Sequence, residues 1–126
     1  MKINSFSHLN YYQKQKIQYL KEIDAKVKAH EQAHLSAAGD IAIGGAHYQY
    51  VIGPDGKKYA VAGDVNILVE KGKNPKETIQ KMQQVITAAL APADPSMQDL
   101  KVAQQASEEI SKAIQKLNSK HIDIKV

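Results

Sequence analysis

The chain has 126 residues, a net charge of +4 and no cysteine. Its length suits one domain, and its 43% apolar and 24% charged residues are those of an ordinary globular protein. The missing cysteine excludes a thiol nucleophile, a Cys-based zinc ribbon and any disulfide framework. All 17 basic residues are Lys and none is Arg. Lacking the bidentate guanidinium and spread over every segment, they argue for a solvated surface and against a nucleic-acid partner. The start, Met-Lys-Ile-Asn-Ser-Phe-Ser-His, has no apolar run, and no stretch reaches membrane-spanning length. No membrane partner is therefore expected. Cytoplasmic is the default location, with export by another route left open.

Residues 1–12 read as a flexible lead-in to one domain over 13–118, followed by a short tail over 119–126. From about Gln13 the apolar positions Ile17, Leu20, Ile23 and Val27 predict a helix, with Gly39 as its terminal cap. A break at Gly44-Gly45 precedes His47-Tyr48-Gln49-Tyr50-Val51-Ile52. Gly53-Pro54-Asp55-Gly56 suits a turn, and Tyr59-Ala60-Val61 resumes beyond it, continued by Val65, Ile67 and Val69. This predicts a β-hairpin. Asn74-Pro75 with Glu77 resembles a capped helix start, followed by a stripe of Ile79, Met82, Val85, Ile86 and Leu90. Pro92-Ala93-Asp94-Pro95 breaks that helix. Met97, Leu100, Ala103, Ala106, Ile110, Ile114 and Leu117 predict a last one, and His121-Ile122-Asp123-Ile124 reads as a short edge strand or a tail.

The chemistry lies in the first helix. His30-Glu31-Gln32-Ala33-His34 puts two imidazoles at i and i+4, one turn apart, as binding one zinc ion requires. The three polar residues fall within about 60° of Val27 on the helical wheel, so they continue the core-facing side. A glutamate after the first histidine sits beside the metal without ligating it and is placed to act as general base. Such a site needs a third protein ligand. Asp40, six residues past His34, has the metzincin spacing, although Ala37 stands where those enzymes carry Gly. Asp64 follows Gly63 on the returning strand, the later segment from which gluzincins draw a carboxylate. His47, at the hairpin entry, is the third candidate. Tyr48, Tyr50 and Tyr59 cluster on the hairpin, where a phenol such as Tyr50 could donate to a developing oxyanion.

A wider pattern surrounds the motif. Ala29-His30-Glu31-Gln32-Ala33-His34, Gly44-Gly45, Tyr48-Gln49-Tyr50, Gly53-Pro54-Asp55-Gly56, Tyr59-Ala60-Val61 and Gly63-Asp64-Val65 together resemble the SprA-related family of bacterial metalloproteases. Lys81-Met82-Gln83-Gln84-Val85-Ile86 and Ala88-Ala89-Leu90-Ala91-Pro92-Ala93-Asp94-Pro95-Ser96 match its helical half, so the likeness runs from about residue 20 to about 115. The family's strand motif usually ends Gly-Gly-Glu-Val, where this chain has Ala62-Gly63-Asp64-Val65. The resemblance therefore implies a zinc site with Asp64 as third ligand, one methylene shorter than the family's glutamate. The expected fold is α+β and zincin-like: an active-site helix, a short β-hairpin or small sheet, and two C-terminal helices. The expected function is zinc-dependent hydrolysis of a peptide or protein substrate, with Glu31 as base. A non-catalytic zinc-binding or regulatory module of the same fold is the alternative.

Overall fold

The computed structural model describes residues 8–122. The chain is α+β, with three long helices and a two-stranded antiparallel sheet. Helix α1 spans Tyr11–Ala38 and begins earlier than its apolar stripe suggests, because Asn10 and Gln13 form a capping box. The Asn10 side chain accepts the Gln13 N–H and the Gln13 side chain accepts the Asn10 N–H, each at 2.9 Å. The expected lead-in thus yields its last residues to α1 and its cap, while residues 1–7 lie outside the described residues. Gly39, at φ 55°, ends the helix by donating its N–H to the Leu35 carbonyl.

A short 3-10 turn, Gly39–Ile41, leads into β1 (Ala42–Ile52), which pairs with β2 (Lys58–Ile67). Gly44 and Gly45 lie within β1 and do not break it. The pairing is irregular between Ile43 and His47, where Gly44 at φ 73° absorbs the extra backbone rotation. Beyond it His47 faces Asp64 and Tyr48 faces Gly63. At the hairpin tip Asp55 accepts the Tyr59 hydroxyl at 2.5 Å. The Tyr59 phenol is pushed up to about 12, chiefly by this bond to a carboxylate and also by burial.

Helix α2 covers Pro75–Ala89 and α3 covers Met97–Ile122. The Asn74 side chain caps α2 through the Glu77 N–H at 2.9 Å. Two apolar clusters hold the elements together. Ile17, Leu20 and Tyr59 join α1 to β2, while Met82, Val85 and Ala106 join α2 to α3, with Ile41 and Val102 packed on the second. Small side chains fill much of this interior: Ala88, Ala89, Ala103 and Ala106 are all buried, whereas Leu90 and Leu100 of the expected stripes are exposed. Alanine at these positions lets the helices approach closely. His121 and Ile122 continue α3 and form no edge strand, and Asp123 and Ile124 lie outside the described residues. No helix among the described residues is long and apolar enough to cross a membrane.

Candidate metal centre

Three helices converge on one spot. His30, Glu31 and His34 come from the C-terminal third of α1, where both His34 and Glu31 are 5% exposed. One ligand atom from each of the three lies within 4.8 Å of the other two. The imidazole rings meet edge to face with centroids 4.9 Å apart. The C-terminal end of α2 supplies the Ala88 carbonyl, 2.8 Å from His34 Nδ1. Carbonyls in a last helical turn lack full intrahelical partners, so this one is available to accept a ring N–H. That bond fixes the tautomer and turns Nε2 towards the cavity.

The start of α3 supplies Asp99, a residue the sequence reading passed over. Its Oδ2 lies 3.1 Å from His30 Nε2 and 3.1 Å from His34 Nε2. The same oxygen accepts the Ser96 N–H at 2.9 Å, and the Ser96 hydroxyl caps the Asp99 N–H at 3.0 Å. Ser96-Met97-Gln98-Asp99 is thus a capping box, so the bonds that start α3 also hold the carboxylate against the histidines. Burial works against ionising Asp99, but the Ser96 N–H and both imidazoles more than offset it, and its carboxyl is held below the usual range. This box is the signal that would have found Asp99 from sequence: an acid three residues after a serine that follows a proline.

The donor set fits a cation. With its Nδ1 proton given to Ala88, a neutral His34 presents a lone pair at Nε2 to a carboxylate oxygen, and two acceptors at 3.1 Å need positive charge between them. A proton on the ring would supply it, and so would a metal ion. Two imidazole nitrogens and one carboxylate oxygen are a catalytic-type zinc set. Ligands about 2.0–2.1 Å from a tetrahedral zinc lie roughly 3.3 Å from one another, close to the two spacings seen here.

The other expected ligands go elsewhere. Asp64 is not brought to the histidine pair. Its side chain is 72% exposed and bonded to His47 Nδ1 at 3.2 Å. Strand alternation is the reason. A Cβ on Gly63 would come within 2.9 Å of Glu31 Cγ, so Gly63 faces α1 and Asp64, the next residue, turns its side chain to the opposite face. The glycine permits the close approach of strand to helix, and the adjacent carboxylate remains at the cavity rim. Asp40 stays in the 3-10 turn after α1 and accepts a bond from Gln84 Nε2 at 2.8 Å. Tyr50 is half exposed, its ring 6.1 Å from that of Tyr48, and no tyrosine lines the cavity over the histidines.

That cavity has a volume of about 450 Å³. The Glu31 side chain makes no hydrogen bond to another described residue, yet no fully buried side-chain polar atom is left unpaired there, so its carboxylate opens onto the cavity. Burial, assisted by the charges of Asp99 and Asp64 and opposed by the two histidines, pushes its carboxyl above the ordinary range.

The chain is thus α+β, with a helix-borne His-Glu-x-x-His group and the Asp99 carboxylate beside it. The chain matches the SprA-related family over residues 3–124 and belongs to it. No curated protein and no solved structure matches it.

Proposed function

We propose that the protein is a zinc-dependent peptidase of zincin type, with His30, His34 and Asp99 holding the ion and Glu31 serving as general base. The convergence of two imidazole nitrogens and one carboxylate oxygen beside an open, buried glutamate carries this reading. Bound there, zinc would supply Lewis-acid chemistry, polarising a peptide carbonyl and acidifying a water. Glu31 takes the proton from the attacking water and returns it to the leaving amine nitrogen. Its raised basicity, owed first to burial, suits that exchange. Ala88 fixes the His34 ring, and the Ser96 box fixes Asp99, so both groups are oriented before a substrate arrives. The edge of β2 turned away from β1 has no strand partner among the described residues and borders the cavity, where an extended peptide could add as a strand.

A zinc-holding module without turnover would be favoured by a fourth protein ligand filling the open position. His47 and Asp40, the two candidates for that place, are engaged with Asp64 and Gln84. The experiment is metal analysis joined to a peptide-library digest. The purified chain should hold about one zinc, and the His30→Ala/His34→Ala double variant none. Glu31→Gln should keep the zinc and lose activity by about 10²–10⁴-fold. Stoichiometric zinc in the double variant would remove the site. A wild type that binds zinc and cleaves nothing would leave the non-catalytic module standing.

A further inference from the structure

The wall of the cavity has a chemistry that the metal centre does not require. From Gly63 onward β2 alternates half-buried and exposed residues, and Gly63, Val65 and Ile67 are the half-buried ones. All three line the cavity, joined by Val69 just past the strand and by Ala89 and Val102 from α2 and α3. Val102 rests on the Met82–Val85–Ala106 cluster, so this wall is an outcrop of the α2–α3 core. In a chain with 17 lysines, no described lysine lines it. Its carboxylates are Glu31, Asp99 and Asp64, and Asn66, Ser96 and Gln98 are its other polar lining beside the histidines.

From this we infer that the site selects an extended peptide carrying an aliphatic side chain, of leucine, isoleucine, valine or methionine type, beside the bond held over the histidines. The inference rests on the peptidase reading and names its substrate class. A peptide lying along β2 places alternate side chains towards the cavity, and the one next to the reacting carbonyl meets Val65 and Val102. Burying an alkyl group there removes apolar surface from water on both partners. A lysine or aspartate set against these aliphatic side chains would give up hydration.

The test uses the full chain as its Glu31→Gln variant, so that bound peptide is not consumed. Capped hexapeptides differing only in a central Leu, Lys or Asp are titrated while the Val and Ile methyl resonances are followed, and zinc content is measured on the same sample. The Leu peptide should bind at least about tenfold more tightly than the other two and shift the methyls of Val65, Ile67 and Val69. Val65→Thr, nearly isosteric, should reduce that preference several-fold without unfolding the chain. Equal binding of the three, tighter binding of Lys or Asp, no binding, or shifts confined to other regions overturns the inference. A sample that holds zinc but is blind to the central residue fails this inference alone. One that discriminates among the peptides without holding zinc fails the metal assignment alone.

Discussion

Among the described residues imidazole meets carboxylate in two places, His47 with Asp64 on the hairpin and both His30 and His34 with Asp99 between the helices, and the surroundings of the two differ. His47 and Asp64 meet at 3.2 Å across the hairpin, with side chains 61% and 72% exposed. His34 and Asp99 meet at 3.1 Å between two helices, with side chains 6% and 16% exposed. The first pair stands in water, where such a contact contributes about 0–1 kcal/mol, and neither side chain has a further hydrogen-bond partner among the described residues. In the second, each partner has a further anchor: the Ala88 carbonyl for the ring and the Ser96 cap for the carboxylate. Spacing and motif offer His34, Asp64 and His47 as metal ligands, and they do not offer Asp99. What distinguishes the two pairs is which one the backbone has already oriented.

Breaking each pair in turn is the sharpest use of this comparison. Asp99→Ala should weaken zinc binding by at least about 100-fold, since loss of a supporting group alone costs 10–100-fold. Asp64→Ala and His47→Ala should change it less than about twofold. Competition titration against a chelator of known affinity measures all three. Equal losses at Asp64 and Asp99 would erase the distinction between the pairs.

Gly63 ties the two regions together, because it turns Asp64 outward while bringing β2 against Glu31. An added Cβ would lie 2.9 Å from Glu31 Cγ and 3.0 Å from the His47 carbonyl oxygen, so backbone or glutamate must move. Gly63→Ala should cost about 1–3 kcal/mol of stability and, on the proposed function, lower peptidase activity about tenfold without loss of zinc. Gly45→Ala is the control in the same sheet, since a Cβ there meets nothing within 4 Å and its φ is not positive. Urea unfolding and a fixed-substrate assay separate the two variants. Similar losses in both would point to a general weakening of the hairpin.

The smallest effect concerns how α1 is joined to the sheet. Asp24 accepts the Ala60 N–H at 2.8 Å and pairs with Lys28 at 3.1 Å. The bond from Ala60 is the largest reason its carboxyl is held below the ordinary range. A depressed folded-state value stabilises above the unfolded value near 3.9 and loses that contribution as pH falls through the folded one. Asp24→Ala should therefore cost about 1 kcal/mol at neutral pH. The difference from wild type should shrink below about pH 4. A gap that stays constant into acid would mean that the charge of Asp24 contributes nothing.

Much of this architecture is legible in the residues themselves. The 3.6-residue spacing of Ile17, Leu20 and Val27 identifies α1, and Gly53-Pro54-Asp55-Gly56 identifies the turn between β1 and β2. His30, Glu31 and His34 announce their shared face by spacing alone, because a helix places i and i+4 together wherever it lies. Asp99 carries no such local signature towards His30, which is 69 residues away. Their meeting depends on how α2 and α3 pack and on the Pro92–Ser96 loop that returns α3 to α1. The local part of its role, a capping box with Ser96, can be read; the partner it would meet cannot. Asp64 misleads for the opposite reason. A glycine marks close approach correctly, but the period of two in a strand sends the adjacent side chain to the other face.

The central claim is that Asp99, and not Asp64, completes the donor set begun by the two histidines. A structure of the zinc-loaded chain tests it most directly. The account predicts an Asp99 carboxylate oxygen about 2.0–2.2 Å from the ion, with His30 and His34 nitrogens at about 2.0–2.1 Å and Asp64 still paired with His47. An ion held by Asp64, with the Asp99 carboxylate more than about 4 Å away, would contradict it.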